Sequence, residues 1–466
     1  MTNYSMMSNV FKKFSRAFWV ANTVELLERA AYYGVFIVIT LYLSRILGFT
    51  DVQAGFISGF FSAGLYLLPM FSGAYADKIG FRNSLLLAFG LLTIGYIGLG
   101  LLPTFLSAGG LVTYGKTAEF HGLQQNLSRW AIIPVMLVIM LGGSFIKSVI
   151  SGSVAKETTP ETRAKGFSIF YMMVNIGAFS GKLIVEPLRR SMGDYGLVVL
   201  NYFSAGATLL ALVVILLLYK TNRTEGQGKS MKEVWNGLVK VLGNGRLLLL
   251  MIIISGFWLV QGQMYATMPK YVLRMAGESA TPGWYANVNP LVVALCVNFV
   301  THLMRKKKAI TSMFTGMCIL PFSAFVMATG NMIGNDTILA MHPIAFMMIV
   351  GIALQGLAET FISPRYLEYF SLQAPKGEEG LYLGFSHLHS FFSWLVAFIV
   401  SGYLLDAFCP DPKKFDTYAQ WQEASQHAHY IWFVFVGVAI VAAIALYIFS
   451  KVTERKDTEI ARDQTA

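Results

Sequence analysis

Charge is scarce in this chain: Asp, Glu, Lys and Arg make up only 13% of its 466 residues. Water-soluble proteins carry roughly 25%, so this composition cannot cover a folded surface in water. With 55% hydrophobic residues and a mean hydropathy of +0.56, the chain belongs in a membrane. Cysteine is also scarce. Cys296, Cys318 and Cys409 are too few for a disulfide framework and lack metal-ligand spacing, so no metal site is expected. The sequence has no G-x-S-x-G, no H-E-x-x-H and no G-x-x-x-x-G-K-[ST], which removes the local signatures of serine hydrolases, zinc proteases and ATP-driven pumps. The chain is therefore not expected to be an enzyme. Its driving force must come from an ion gradient or from the substrate's own gradient.

What the chain does have is long apolar runs, each close to the ~20 residues that span a bilayer. Twelve are expected: Phe18–Tyr42, Asp51–Tyr75, Asn83–Phe105, Ala131–Ala155, Ala164–Pro187, Tyr195–Tyr219, Leu247–Met268, Trp284–Met304, Ile310–Thr329, Met341–Ile362, Leu381–Leu405 and Ala428–Phe449. The expected fold class is an all-α integral membrane protein. No cleavable leader is expected, because the first span carries charges and lacks a small-residue cleavage site.

The net charge of +11 fits either a nucleic-acid footprint or the cytoplasmic Lys/Arg bias of a membrane protein, and position separates the two. Of the 36 Lys and Arg, 24 fall in the two tails and the loops on their side, nine fall in the opposite loops, and Arg29, Lys147 and Lys182 fall inside spans. Both termini are therefore expected in the cytoplasm of a cell (inner) membrane, with the lipid bilayer and not nucleic acid as the partner. The run Arg305-Lys306-Lys307-Lys308 fits topology or lipid headgroups.

A polar stretch at 220–246, with a short amphipathic helix expected over Ser230–Leu242, divides the chain into a six-span bundle (1–219), a linker, a second six-span bundle (247–450) and a tail (451–466). Six plus six spans around a central cavity is the organisation of major-facilitator transporters. The outside loops 107–130 and 406–427 are long and read as solvated connections.

An ionisable side chain near the bilayer midplane costs on the order of 3 kcal/mol. Glu25, Glu28 and Arg29 nevertheless sit within five residues of the first span. Glu25 and Arg29 are i,i+4 neighbours that can pair. Glu28 lies about 100° from Arg29 around the axis and is the acid expected to change its proton occupancy. The alternative is an internal salt bridge that only fixes packing. Lys147 in the fourth span and Glu359 in the tenth lie in opposite halves, and they suit either an ion-pair gate or a structural pair. Lys182 and Glu186, near the outer end of the fifth span, read as snorkelling or packing residues. His387 and His389 are two apart on a helix and make a poor metal pair.

Several of these residues stand in longer patterns. Glu25-Leu-Leu-Glu28-Arg29-Ala-Ala-Tyr32-Tyr33-Gly34 is similar to the E-x-x-E-R-x-x-Y-Y-G signature of the proton-dependent oligopeptide transporters, a branch of the major facilitators. Tyr66-Leu-Leu-Pro69 with Gly73-Ala-Tyr-Ala-Asp77-Lys78-Ile-Gly80 resembles the next block, and Phe170-Tyr171-Met-Met-Val-Asn175-Ile-Gly177 resembles F-Y-x-x-x-N-x-G. Lys147 falls at the helix-four lysine. Phe257-Trp258, Asn289-Pro290 and Glu359-Thr-Phe-Ile-Ser363-Pro364 resemble the helix-seven, helix-eight and helix-ten signatures.

The resemblance implies a proton symporter of small peptides or peptide-like zwitterions. It implies that Glu25, Glu28, Arg29 and Glu359 take part in proton coupling. Arg29 and Lys147 would meet the substrate carboxylate, and Asn175, Asn289 and Glu359 its amino end, with Tyr32, Tyr33, Tyr66, Trp258 and Ser363 lining the site. Lys147 and Glu359 would also gate it. No cofactor is implied beyond the proton as coupling ion, and the protein is expected to work as a monomer. Two positions depart from the family: Phe36 replaces a second base in helix one, and Gly262 replaces an acid in helix seven with which that base pairs. The alternatives are a relative that moves a modified amino acid, a metallophore or an organic anion, including by export, and a nutrient receptor without transport.

Overall fold

The computed structural model describes residues 14–220, 230–334, 337–374 and 379–465. Among the described residues, ten helices are long and apolar enough to cross a bilayer. Counting two bent pairs as one span each, Arg16–Phe36 with Ile39–Ile46 (46°) and Asp51–Leu67 with Pro69–Ala76 (41°), gives twelve among the described residues. The bends have local causes. Val38, at φ −117° and ψ 12°, leaves the helical basin, and a π-helical turn follows at Tyr42–Ile46. Pro69 opens a new helix because it has no N–H with which to continue the old one.

Several spans outrun their apolar cores. The fifth is Pro160–Met192 and the tenth is Pro343–Leu372, which passes through Pro364. The twelfth is Tyr430–Thr465 and absorbs most of the expected tail as helix. That extension is charged and carries no hydropathy signal, but Lys, Glu and Arg are good helix formers. Lys308 pairs with Glu454 on it at 3.1 Å. The seventh span ends earlier than expected, at Gln261, and continues as the short helices Gln263–Ala266 and Met268–Met275. The linker helix is Met231–Leu242.

The chain forms two compact units, 1–48 with 64–234 and 49–63 with 235–466, so the first half of span 2 groups with the C-terminal spans. Within the first unit, span 1 packs against spans 5 and 6, and span 3 against spans 4 and 6. The approach of span 5 to span 1 is set by Gly177 and Gly181, where an added Cβ would run into the Leu26 and Ala30 carbonyls. Within the second unit, span 7 packs against 11 and 12, span 9 against 10 and 12, and span 8 against 10. Large apolar side chains such as Ile94, Phe105, Leu217, Leu295 and Val441 stay exposed on the helices. That suits lipid and not water.

The two long loops are mostly exposed, as expected of solvated connections, and they carry local structure of their own. Loop 107–130 holds a two-stranded antiparallel ribbon, Val112–Thr113 with Glu119–Phe120. It is tied down by Tyr114 Oη donating to the Ile46 carbonyl (2.8 Å), Ala118 N–H to Asp194 (2.9 Å) and Arg129 to the Gly48 carbonyl (2.9 Å). Loop 406–427 carries the helix Tyr418–Ser425, whose Trp421 is buried and donates to the Pro410 carbonyl at 3.0 Å.

Candidate functional site

In the first unit the acids of span 1 converge on one base. Arg29 Nε lies 3.2 Å from Glu25 Oε1, and Arg29 Nη2 also contacts Glu28 Oε2. All three residues are buried, at 4%, 2% and 7% exposure for Glu25, Glu28 and Arg29. This corrects the expectation that Glu28 stands apart from the arginine. The guanidinium is planar with donors on several edges, so one side chain serves both carboxylates. What remains over is an oxygen, not an acid: Glu25 Oε2 is buried with no hydrogen-bond partner among the described residues.

A cavity of about 60 Å³ borders this triad and is lined by Glu28, Arg29, Tyr32, Tyr33, Tyr66 and Lys147, together with Leu65, Leu92, Ile139 and Gly143. Arg29 lies 5.6 Å from the centre of the Tyr32 ring, and Lys147 Nζ lies 3.5 Å from the centre of the Tyr66 ring. Aromatic faces stabilise cations without neutralising them; Arg29 is held by the two carboxylates as well, whereas Lys147 meets the ring face of Tyr66. Asn175 is half-buried and donates to the Tyr171 carbonyl of its own helix at 2.7 Å.

In the second unit, Glu359 accepts from Gln261 Nε2 at 2.5 Å and from Asn289 Nδ2 at 3.3 Å, both at Oε2. Ser363 Oγ, one turn further along span 10, is buried without a hydrogen-bond partner among the described residues. Trp258 stands against His389, ring centres 5.7 Å apart. His389 Nδ1 lies 2.7 Å from the Ser386 carbonyl, which must receive a proton and so fixes one on Nδ1. His387 is exposed where His389 is buried, so the two imidazoles sit in different surroundings. Lys147 and Glu359 belong to different units.

The two departures from the resembled family have structural counterparts. Phe36 is buried and stacks on Tyr32, ring centres 4.9 Å apart at 17°. Gly262 forms the break after Gln261, where an added Cβ would lie 3.0 Å from the Trp258 carbonyl oxygen and 3.2 Å from Ala397 Cβ. A side chain there would need its neighbours to give by a few tenths of an ångström.

Two buried ionic clusters lie outside the expected site. Lys182 and Glu186 are 1% and 0% exposed, and Glu186 takes Arg189 at 3.0 Å, so of the two expected roles they take packing and not snorkelling. The Lys182 ammonium stands 5.6 Å from the centre of the Tyr33 ring. Asp51, 4% exposed, binds Lys270 Nζ at 2.7 Å and Arg274 Nη1 at 2.9 Å. Lys270 and Arg274 are one helical turn apart, which is the signal that could have paired them. From hydropathy alone, Asp51 marks only the start of span 2.

The chain matches the Major Facilitator Superfamily over residues 21–335 and belongs to that superfamily. It is thus a multi-pass membrane transporter and not an enzyme. Among relatives, it is 25% identical over 361 residues to "Multidrug resistance protein MdtH" of Aeromonas hydrophila subsp. hydrophila, covering 75% of this chain and 85% of that protein. It is 27% identical over 236 residues to "Dipeptide and tripeptide permease A" of Pectobacterium carotovorum subsp. carotovorum, covering 49% of this chain and 41% of that one. The in meso crystal structure of the POT family transporter PepTSo superposes with a TM-score of 0.70 at 20% identity, covering 95% of this chain and 99% of that chain. The fold is that of the peptide-transporter branch.

Proposed function

We propose that the protein imports small peptides or peptide-like zwitterions together with protons, by alternating access. The observation that carries this reading is the pairing of chemistries: an Arg29/Lys147 cavity with two buried acids in one unit, and an amide-held carboxylate, Glu359, in the other. A zwitterion has one end for each. Both termini lie in the cytoplasm of the inner membrane, the proton is the only coupling agent, and the monomer is the working unit.

In the proposed cycle, outside protons reach Glu28 or Glu25 and weaken their hold on Arg29. Arg29 and Lys147 take the substrate carboxylate, and Glu359 with Asn289 takes its amine. Lys147 and Glu359 act as an ion-pair gate, which exchange of their charges in K147E/E359K tests directly. A proton moving through 100 mV supplies roughly 2.3 kcal/mol, enough for about a fiftyfold gradient at one proton per neutral substrate.

The second reading is export of a non-peptide substrate. It is favoured by the loss of two charges at Phe36 and Gly262 and by the MdtH relatives. Proteoliposomes with an imposed pH gradient and a mixed pool of di- and tripeptides separate the readings. Accumulation of peptide supports import. No accumulation by protein that does exchange another substrate selects the second.

A further inference from the structure

We propose that Asn22 is a positioning residue for the coupling proton, whose side-chain oxygen receives the O–H of Glu25 once that acid is protonated. The inference rests on the reading of the protein as a proton symporter. Asn22 lies outside the motif that begins at Glu25, and no hydropathy signal singles it out. It is 1% exposed and shares one face of the helix Arg16–Phe36 with Glu25 and Arg29, about one turn before the first acid.

Two acceptors on this face stand without a donor. Asn22 Nδ2 donates to the Phe18 carbonyl at 2.8 Å, which leaves Oδ1 as the other end of the amide. Oδ1 is buried with no hydrogen-bond partner among the described residues, and the same holds for Glu25 Oε2. Glu25 Oε1 faces Arg29 Nε at 3.2 Å, so Oε2 is the oxygen open to a proton. Residues three apart on a helix have Cβ atoms about 5–6 Å from each other, which puts Asn22 Oδ1 within reach of the Glu25 side chain. Two bare acceptors repel. A proton on Oε2 turns one of them into a donor and satisfies both.

The charged groups acting on Glu25 are Arg29 and Glu28 of its own span and Lys147 of span 4. Span 5 meets this part of span 1 at Gly177 and has no charged residue from Gly166 to Gly181; its Lys182 stands by Tyr33, two turns beyond Glu25. Span 6, also packed on span 1, has none from Tyr195 to Leu218. Two acids and two bases sum to zero charge. One proton leaves a positive charge over, which an arriving carboxylate balances.

The test is pH-difference infrared spectroscopy of the purified full-length protein, which reads the carbonyl band of a protonated carboxyl. The Glu25 band is the one missing from E25Q. N22L removes the whole amide. N22D gives up the donor to Phe18 but keeps an oxygen for Glu25, and its own band is recorded in N22D/E25Q. The expected result is that N22L lowers the midpoint of the Glu25 band by about one pH unit, the worth of one hydrogen bond, because the protonated form loses its acceptor. N22D should not lower it.

An unchanged midpoint in N22L overturns the proposal. So does an equal fall in N22D, which would put the role of Asn22 in its bond to Phe18. Should N22L not fold, N22A removes the same oxygen and is read the same way. A wild type with no Glu25 band also overturns the proposal; substrate-evoked proton entry in that protein leaves symport standing, with the proton on another group. The expected shift without substrate-evoked proton entry upholds the bond between Asn22 and Glu25 and sinks the symport reading.

Discussion

Phe36 stacks on Tyr32 with ring centres 4.9 Å apart, at the position where the resembled transporters carry a second base. The aromatic pair keeps this wall of span 1 apolar, so Arg29 and Lys147 are the cations bordering the cavity. Phe36→Arg would bury a charge among Tyr32 and its neighbours. We expect F36R to lose about 3–5 kcal/mol, the usual cost of an uncompensated buried charge, while F36L loses about 1 kcal/mol. Thermal melts of the purified variants measure both. An F36R protein as stable as wild type would mean that a counter-charge stands ready there.

Glu28 and Glu25 share Arg29, so neutralising one acid should uncouple transport from protons without emptying the site. Glu28→Gln is expected to abolish uptake driven by a pH gradient and to spare exchange of labelled for unlabelled substrate. Equal loss of both activities would point to folding or binding.

Lys147 lies over Tyr66 with its ammonium 3.5 Å from the ring centre. Lys147→Gln should weaken binding of carboxylate-bearing probes by about tenfold or more, because a hydrogen bond to a charged group is worth about 1.5–3 kcal/mol. Affinity for the same probe as its carboxamide should hardly change. Tyr66→Phe keeps the ring face and should leave both affinities near wild type.

Asp51 holds Lys270 and Arg274, and Arg274 in turn donates to the Cys409 carbonyl at 2.6 Å. Burial pushes the Cys409 thiol up to about 12, so it is protonated and unreactive at neutral pH. In a C296S/C318S background, maleimide labelling of Cys409 should be slow. Asp51→Ala removes the buried carboxylate that Lys270 and Arg274 share, Asp411 staying 3.6 Å from Arg274, and should lower stability by about 3–5 kcal/mol and speed that labelling. Unchanged labelling would mean that Asp51 does not hold this end of the protein together.

The spans could be read from the sequence because lipid imposes a length and a polarity on each, and deviations from that rule are visible as single charges. Glu25, Glu28, Arg29, Lys147 and Glu359 announce themselves because charge in a membrane is expensive. What could not be read was how charges meet across the fold. Asp51 and Lys270 are far apart in sequence, and by hydropathy Lys270 falls in a loop because it follows an apolar run. Its burial comes from tertiary packing, to which hydropathy is blind. Gln261 is uncharged, so its 2.5 Å contact with Glu359 on another span could not be read as an expensive charge is. The exposure of the two long loops was legible, but their internal order was not: short ribbons and turns hold few apolar residues yet can be fixed by hydrogen bonds such as Tyr114 to Ile46.

The central claim is that peptide and proton move together, and substrate-evoked proton flux tests it most directly. Proteoliposomes holding a trapped pH-sensitive dye, with no imposed pH gradient and an inside-negative potential, should acidify when dipeptide is added outside to wild type. They should not acidify with E28Q. Peptide entry into wild-type vesicles without a change in internal pH would contradict the account.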